Sequence, residues 1–168
     1  MHDSLSTLAS RLGERLLAKS HMLALAESCT GGWIAQSVTE IAGSSAWFDR
    51  GFVTYSNAAK IAMLGVGQNT LQNHGAVSPQ IACEMVAGAL RHSDADITLA
   101  VTGIAGPGGG TAEKPVGLVF IAWQLRGQPC HCLEQHFKGD RHSVRRQTVQ
   151  KALQCLLGEY EPVDIQID

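Results

Sequence analysis

Two hydrophobic periods alternate along this chain, and the alternation restricts it to one class of fold. Leu5, Leu8, Leu12 and Leu16 recur every three or four residues, with Ala9 and Leu17 widening the stripe, so the spacing predicts an amphipathic helix over 4–20. Residues 22–28, MLALAES, then form a short apolar run ending in small polar residues, the pattern of a buried strand entering a turn. Thr30-Gly31-Gly32 opens a helix of about three turns carried by Ile34, Ala35, Val38 and Ile41. Gly51 to Tyr55 reads as a strand, and Ser56 as the cap of a short helix. Ser78 before Pro79 caps a helix whose buried face is Ile81, Ala82, Met85, Val86, Ala89 and Leu90. Strands follow at 97–101, 116–125 and 131–137, the last two folded against each other around Gly127, before a final helix from Asp140. The chain is therefore expected to be α/β: a single-domain layered α/β/α sandwich with a mixed sheet, spanning residues 1–168.

Composition narrows the function classes. With 45% hydrophobic and 17% charged residues, the chain can bury a core, which excludes intrinsic disorder. Thirteen Lys and Arg against fifteen Asp and Glu give a net charge of -2, which supplies no basic field for nucleic acid. No apolar stretch approaches the roughly 20 residues that span a bilayer, and the first residues lack the apolar core of a secretion signal. A cytoplasmic protein without membrane or nucleic-acid partners is expected. The five cysteines contain no C-x-x-C pair, so reduced thiols are expected. Cys130-His131-Cys132 lacks a second ligand pair at zinc-site spacing, and no metal is assigned.

Four clusters carry chemistry, each with a plainer alternative. In Glu27-Ser28-Cys29-Thr30-Gly31-Gly32 a strand ends in a serine beside a helix N-terminus, where backbone N–H groups can hold an anion or a developing oxyanion; the alternative is a helix cap. Tyr55-Ser56-Asn57-Ala58-Ala59-Lys60 places a phenol, a hydroxyl and an amine within six residues. With no histidine beside it, a serine can use a lysine as base if burial lowers the amine's pKa; the alternative is a solvated lysine. The glycine loop Thr102 to Thr111, including Gly103 and Ile104, lacks the endings of phosphate-binding and dinucleotide-binding loops, and suits close backbone approach to a ligand or a purely structural turn. Arg141 and Arg145 share a helical face after Asp140, and two guanidinium groups there suit a phosphate; the alternative is a solvated basic helix.

Taken in order, Ala26-Glu-Ser-Cys-Thr-Gly-Gly32, Val53-Thr-Tyr-Ser-Asn-Ala-Ala-Lys60, Gly75-Ala-Val-Ser78, Val101-Thr-Gly-Ile-Ala-Gly-Pro107 and Gly139-Asp-Arg141 closely resemble the CinA C-terminal domain family, over nearly the whole chain. The resemblance implies a stand-alone domain that hydrolyses the carboxamide of nicotinamide mononucleotide to nicotinate mononucleotide and ammonia, in pyridine-nucleotide salvage, without metal or cofactor. It implies Ser28 as nucleophile and Lys60 as base, with Tyr55 assisting or orienting proton transfer. Oxyanion donors are sought around Thr30-Gly31-Gly32 or Gly103-Ile104, beside Thr102. Arg141 and Arg145 are the residues expected at the substrate phosphate, and Glu27 either faces the pyridinium or is structural.

Two rivals stay open at this level. Cys29 at a helix N-terminus is an alternative nucleophile. A nucleotide-binding or regulatory module would use the same pocket without turnover. A homodimer contact through Trp33, Trp47 or Phe48 requires those aromatics to be exposed rather than in the core.

Overall fold

A computed structural model of the protein describes residues 3–161. Helix α1 (Leu5–Lys19) is capped by Ser4, whose side chain accepts from Thr7 N, and it buries Leu8, Leu12 and Leu16 as its periodicity requires. It leads into β1 (Leu23–Glu27), buried along its whole length. Next come α2 (Trp33–Thr39), β2 (Phe48–Val53), α3 (Asn57–Leu64), α4 (Gln68–His74) and α5 (Pro79–Arg91). Then follow β3 (Ile97–Gly103), β4 (Leu118–Leu125), β5 (His131–His136) and α6 (Arg141–Tyr160). The strands form one sheet in the order β2-β1-β3-β4-β5. β1 runs parallel to β2 and β3, whereas β4 is antiparallel to both β3 and β5, so the sheet is mixed.

The two sheet faces bury different side chains because successive residues on a strand point to opposite sides. Leu23 and Leu25, Ile97, Leu99 and Val101, and Val119 and Ile121 pack with the Leu stripe of α1 and the Val149, Leu153 and Leu156 face of α6. Ala26, Ala100, Ala122 and Phe120 pack instead with Ile81, Met85 and Val86 of α5. Small strand residues let α5 sit close to the sheet. Gly88 lets α3 sit close to α5, since a Cβ there would lie 2.1 Å from the Leu64 carbonyl oxygen.

Several boundaries differ from expectation. α2 makes about two turns rather than three, ending at Thr39 with Ile41 beyond it. β2 begins at Phe48, and Tyr55 lies outside it. Thr102 and Gly103 belong to β3 rather than to the loop. α4 carries no apolar stripe in its sequence; it is tied to α5 by Glu84, which accepts from Gly67 N at 2.8 Å and Thr70 Oγ1 at 2.6 Å. Of the aromatics considered for a dimer contact, Trp47 is 2% exposed and so not available, while Trp33 and Phe48 are half-buried and pack against the core. No helix among the described residues is long and apolar enough to cross a membrane.

Candidate active site

The C-terminal ends of the parallel strands β1, β2 and β3 lie along one edge of the sheet. The chain leaves β1 through α2 to the strand on one side and later returns through α3 to α5 to the strand on the other, so the strand order switches there. Crevices of α/β sheets open at such points. Here a cavity of about 270 Å³ is lined by Ser28 and Cys29 just past β1, by the end of β3 and the loop that follows it, by Tyr55, Asn57 and Lys60 around the start of α3, and by Arg141.

Ser28 follows β1 directly, its backbone N–H donating to Val101 O at 3.1 Å, which fixes the serine at the strand end. Ser56 caps α3 by accepting from Ala59 N, and this start directs Lys60 back under the sheet edge. Lys60 is 1% exposed, and its Nζ lies 2.9 Å from Ser28 Oγ, 2.9 Å from Thr54 O and 3.2 Å from Tyr55 O. Its hydrogen-bond partners among the described residues include no carboxylate. Burial lowers its pKa from the ordinary 10.5 because the ammonium loses hydration. Two main-chain carbonyls and the serine hydroxyl thus surround the amine within hydrogen-bond distance.

Cys29, beside the serine, is buried, and burial pushes its thiol up to about 12. That is the opposite of the lowered pKa a thiolate nucleophile needs, which removes the physical basis of the cysteine rival.

Other expected site residues divide into two groups. Thr102, Gly103, Ile104 and Arg141 line the cavity. Thr102 Oγ1 donates to Ala76 O at 2.8 Å, holding the Gly75-Ala76-Val77 segment against β3. Arg141 donates to Gly106 O at 2.8 Å and to the Tyr55 hydroxyl at 3.0 Å, so it joins the glycine loop to the phenol across the mouth. The phenol makes that bond, and Tyr55 reaches Lys60 through its main-chain carbonyl.

Glu27, Thr30, Gly31, Gly32 and Arg145 do not line the cavity; they build and hold the turn from Ser28 into α2. Glu27 is buried, and its carboxylate accepts from Thr30 Oγ1 at 2.6 Å, Ile34 N at 2.8 Å and Ala35 N at 3.0 Å. Those bonds close the N-terminus of α2 with a full negative charge. Gly32 sits at φ 100°, a conformation that side chains disfavour, and this lets the chain turn from Ser28 into α2. Arg145 differs most from expectation: its guanidinium donates to Cys29 O at 3.1 Å and Thr30 O at 3.0 Å and lies over the Trp33 ring. It grips the turn that carries the serine.

Two of the expected oxyanion donors are engaged elsewhere. Gly31 N donates to Ser28 O, and Ile104 N to Leu118 O. The carbonyls of Thr54 and Tyr55, which hold the amine, were not foreseen, because main-chain acceptors leave no mark in residue identity. Asn57 and Val77 also line the cavity; both stand inside the quoted motifs, the only signal for them.

The fold and the site together define an α/β protein with helices on both faces of one mixed sheet and a serine–amine pair at its switch point. The family model of the CinA C-terminal domain matches residues 5–160, and the chain belongs to that family. It is 51% identical over 156 residues to the nicotinamide-nucleotide amidohydrolase PncC of Enterobacter agglomerans, covering 93% of this chain and 95% of that one. It is 49% identical over 161 residues to the protein of the same name from Escherichia coli strain K12, covering 95% and 98%. Among solved structures, the competence/damage inducible protein CihA of Agrobacterium tumefaciens superposes with a TM-score of 0.92 at 48% identity, over 96% of this chain and 99% of that one.

Proposed function

We propose that this protein is a nicotinamide-nucleotide amidohydrolase: it hydrolyses the carboxamide of nicotinamide mononucleotide to nicotinate mononucleotide and ammonia through an acyl-enzyme on Ser28. The observation that carries the reading is the buried Lys60 amine 2.9 Å from Ser28 Oγ. The names of the relatives at about half identity support the substrate.

In the reaction, Lys60 takes the Ser28 proton as Oγ attacks the amide carbon. The tetrahedral oxyanion is received by Cys29 N–H, the amide that follows the nucleophile and makes no main-chain hydrogen bond among the described residues. Lys60 returns the proton to the leaving nitrogen, and ammonia departs. Water then gives a proton to Lys60 and attacks the ester; collapse releases the carboxylate and restores the serine. Arg141, at the cavity mouth beside the Tyr55 phenol, binds the substrate phosphate. Glu27 and Arg145 position the turn that carries Ser28. This reading brings with it a small-molecule substrate, no metal or organic cofactor, a role in pyridine-nucleotide salvage and a cytoplasmic place of work.

The test is ammonia release from nicotinamide mononucleotide by purified protein in chelator. Turnover lost in folded Ser28→Ala and Lys60→Ala variants supports the reading. Saturable binding with no ammonia at high protein concentration would overturn it in favour of a ligand-binding module.

A further inference from the structure

Cys130-His131-Cys132 has no part in the proposed reaction, and its placement in the fold gives it one of its own. β5 is an edge strand, and Cys132 pairs with Ala122 while His131 pairs with Trp123. Residues two apart share a face, so the two cysteines and the histidine between them point to opposite sides. His131 goes toward α6, stacked on Trp123 and near Glu159. The cysteines go toward α5, which presents Cys83. Cys130 Sγ donates to Cys83 Sγ at 2.8 Å, and Cys132 lies on the same face of the edge strand, opposite Ala122. Cys83 and Cys130 are half-buried and Cys132 is exposed, so small solutes reach the group. Cys29 and Cys155, in contrast, pack in or against the core formed with α6, away from this cluster.

We propose that Cys83, Cys130 and Cys132 form a thiol-oxidation site that reacts with hydroperoxides, closing a reversible Cys83–Cys130 disulfide between α5 and the edge strand. Cys83 sulfur attacks the terminal peroxide oxygen: an S–O bond forms, the O–O bond breaks, and the departing alkoxide, or hydroxide from hydrogen peroxide, takes the thiol proton and leaves as alcohol or water. Cys130 sulfur then displaces the sulfenic oxygen, forming S–S, and that oxygen leaves as water with the Cys130 proton. Two thiols supply the two electrons that the peroxide accepts. The Cys130 thiol donating to Cys83 stabilises its thiolate and holds its pKa below the ordinary thiol value, which suits it to the first step. Burial pushes Cys155 up to about 11, which makes it a slow internal control.

The experiment treats dilute native protein with limited hydrogen peroxide, blocks remaining thiols after denaturation, and maps peptides under non-reducing conditions. An intrachain Cys83–Cys130 cross-link, formed at least about tenfold faster than any modification of Cys155 and reversed by dithiothreitol, is expected. The oxidised protein should melt roughly 5 °C or more higher than the reduced one, since a cross-link restricts the unfolded chain. In a Cys130→Ser/Cys132→Ser variant, a dimedone adduct should accumulate at Cys83. Oxidation of Cys29 or Cys155 as fast as Cys83, or cross-links only between chains, would overturn the proposal. The wild-type map decides this even if a variant fails to fold.

Discussion

Lys60 Nζ and Ser28 Oγ meet at 2.9 Å across 32 residues of chain, and main-chain carbonyls hold the amine in place. This arrangement separates two roles a lysine can play, base and fixed cation. Lys60→Arg keeps a charge but cannot give it up near neutral pH. We expect Ser28→Ala, Lys60→Ala and Lys60→Arg each to reduce kcat/KM by at least about a thousandfold, with circular dichroism unchanged. Substantial activity in Lys60→Arg would assign the lysine to charge stabilisation instead.

The direction of the Lys60 shift sets the pH profile. Only the neutral amine accepts the serine proton, so kcat/KM should rise with pH through the folded-state pKa and level off above it. Burial lowers that pKa, so the limb must lie below 10.5. The profile in Ser28→Ala cannot be read from turnover; titration of Lys60 in that variant by NMR should follow the same limb in wild type. A limb at the ordinary lysine value would contradict the desolvated site.

Arg141 and Arg145 lie one helical turn apart and should fail differently. Arg141→Ala should raise KM for nicotinamide mononucleotide by about 10- to 100-fold, the worth of a charged hydrogen bond, and leave the dephosphorylated riboside unaffected. Arg145→Ala should slow both substrates alike, because it loosens the Cys29 and Thr30 carbonyls instead of the ligand. Equal losses for both arginines on the nucleotide alone would place both at the phosphate.

Glu27 closes the start of α2 with three accepted hydrogen bonds inside the protein. Glu27→Ala leaves those donors buried without a partner and should cost about 3 kcal/mol or more in urea unfolding. Glu27→Gln, which keeps an acceptor oxygen, should lose less. An Ala variant as stable as wild type would show that the turn is held by other means.

Thr54 offers the reverse case. Its hydroxyl is buried with no hydrogen-bond partner among the described residues, while its carbonyl holds Lys60. Thr54→Val keeps the shape and the carbonyl and removes the unsatisfied oxygen, so stability should rise by about 1 kcal/mol with turnover retained, as read from melting and ammonia release.

Much of this was legible in residue order. The Leu stripe of α1, the caps Ser56, Ser78 and Asp140, and the buried strand runs carry their periods openly, because local chain physics determines them. α4 was not legible: with only Leu71 as an aliphatic residue its helix depends on Glu84 from another element, and tertiary hydrogen bonds have no local spacing. Ser28, Lys60 and Arg141 could be singled out by residue type and motif. Arg145 is singled out in the sequence by charge and helix position, and the face it occupies meets the serine turn rather than the cavity, something only the crossing of α6 over α2 decides.

The grip on Lys60 by the Thr54 and Tyr55 carbonyls has a consequence for how such a site can change over time. The amine recognises the route of the main chain at 54 and 55 and not what is attached to it, while the Tyr55 phenol answers separately to Arg141. The length of the stretch between β2 and α3 is therefore what sets the pair. Adding or removing one residue there would rotate the helix start and carry the amine away from its serine, so this short connector acts as a ruler between base and nucleophile.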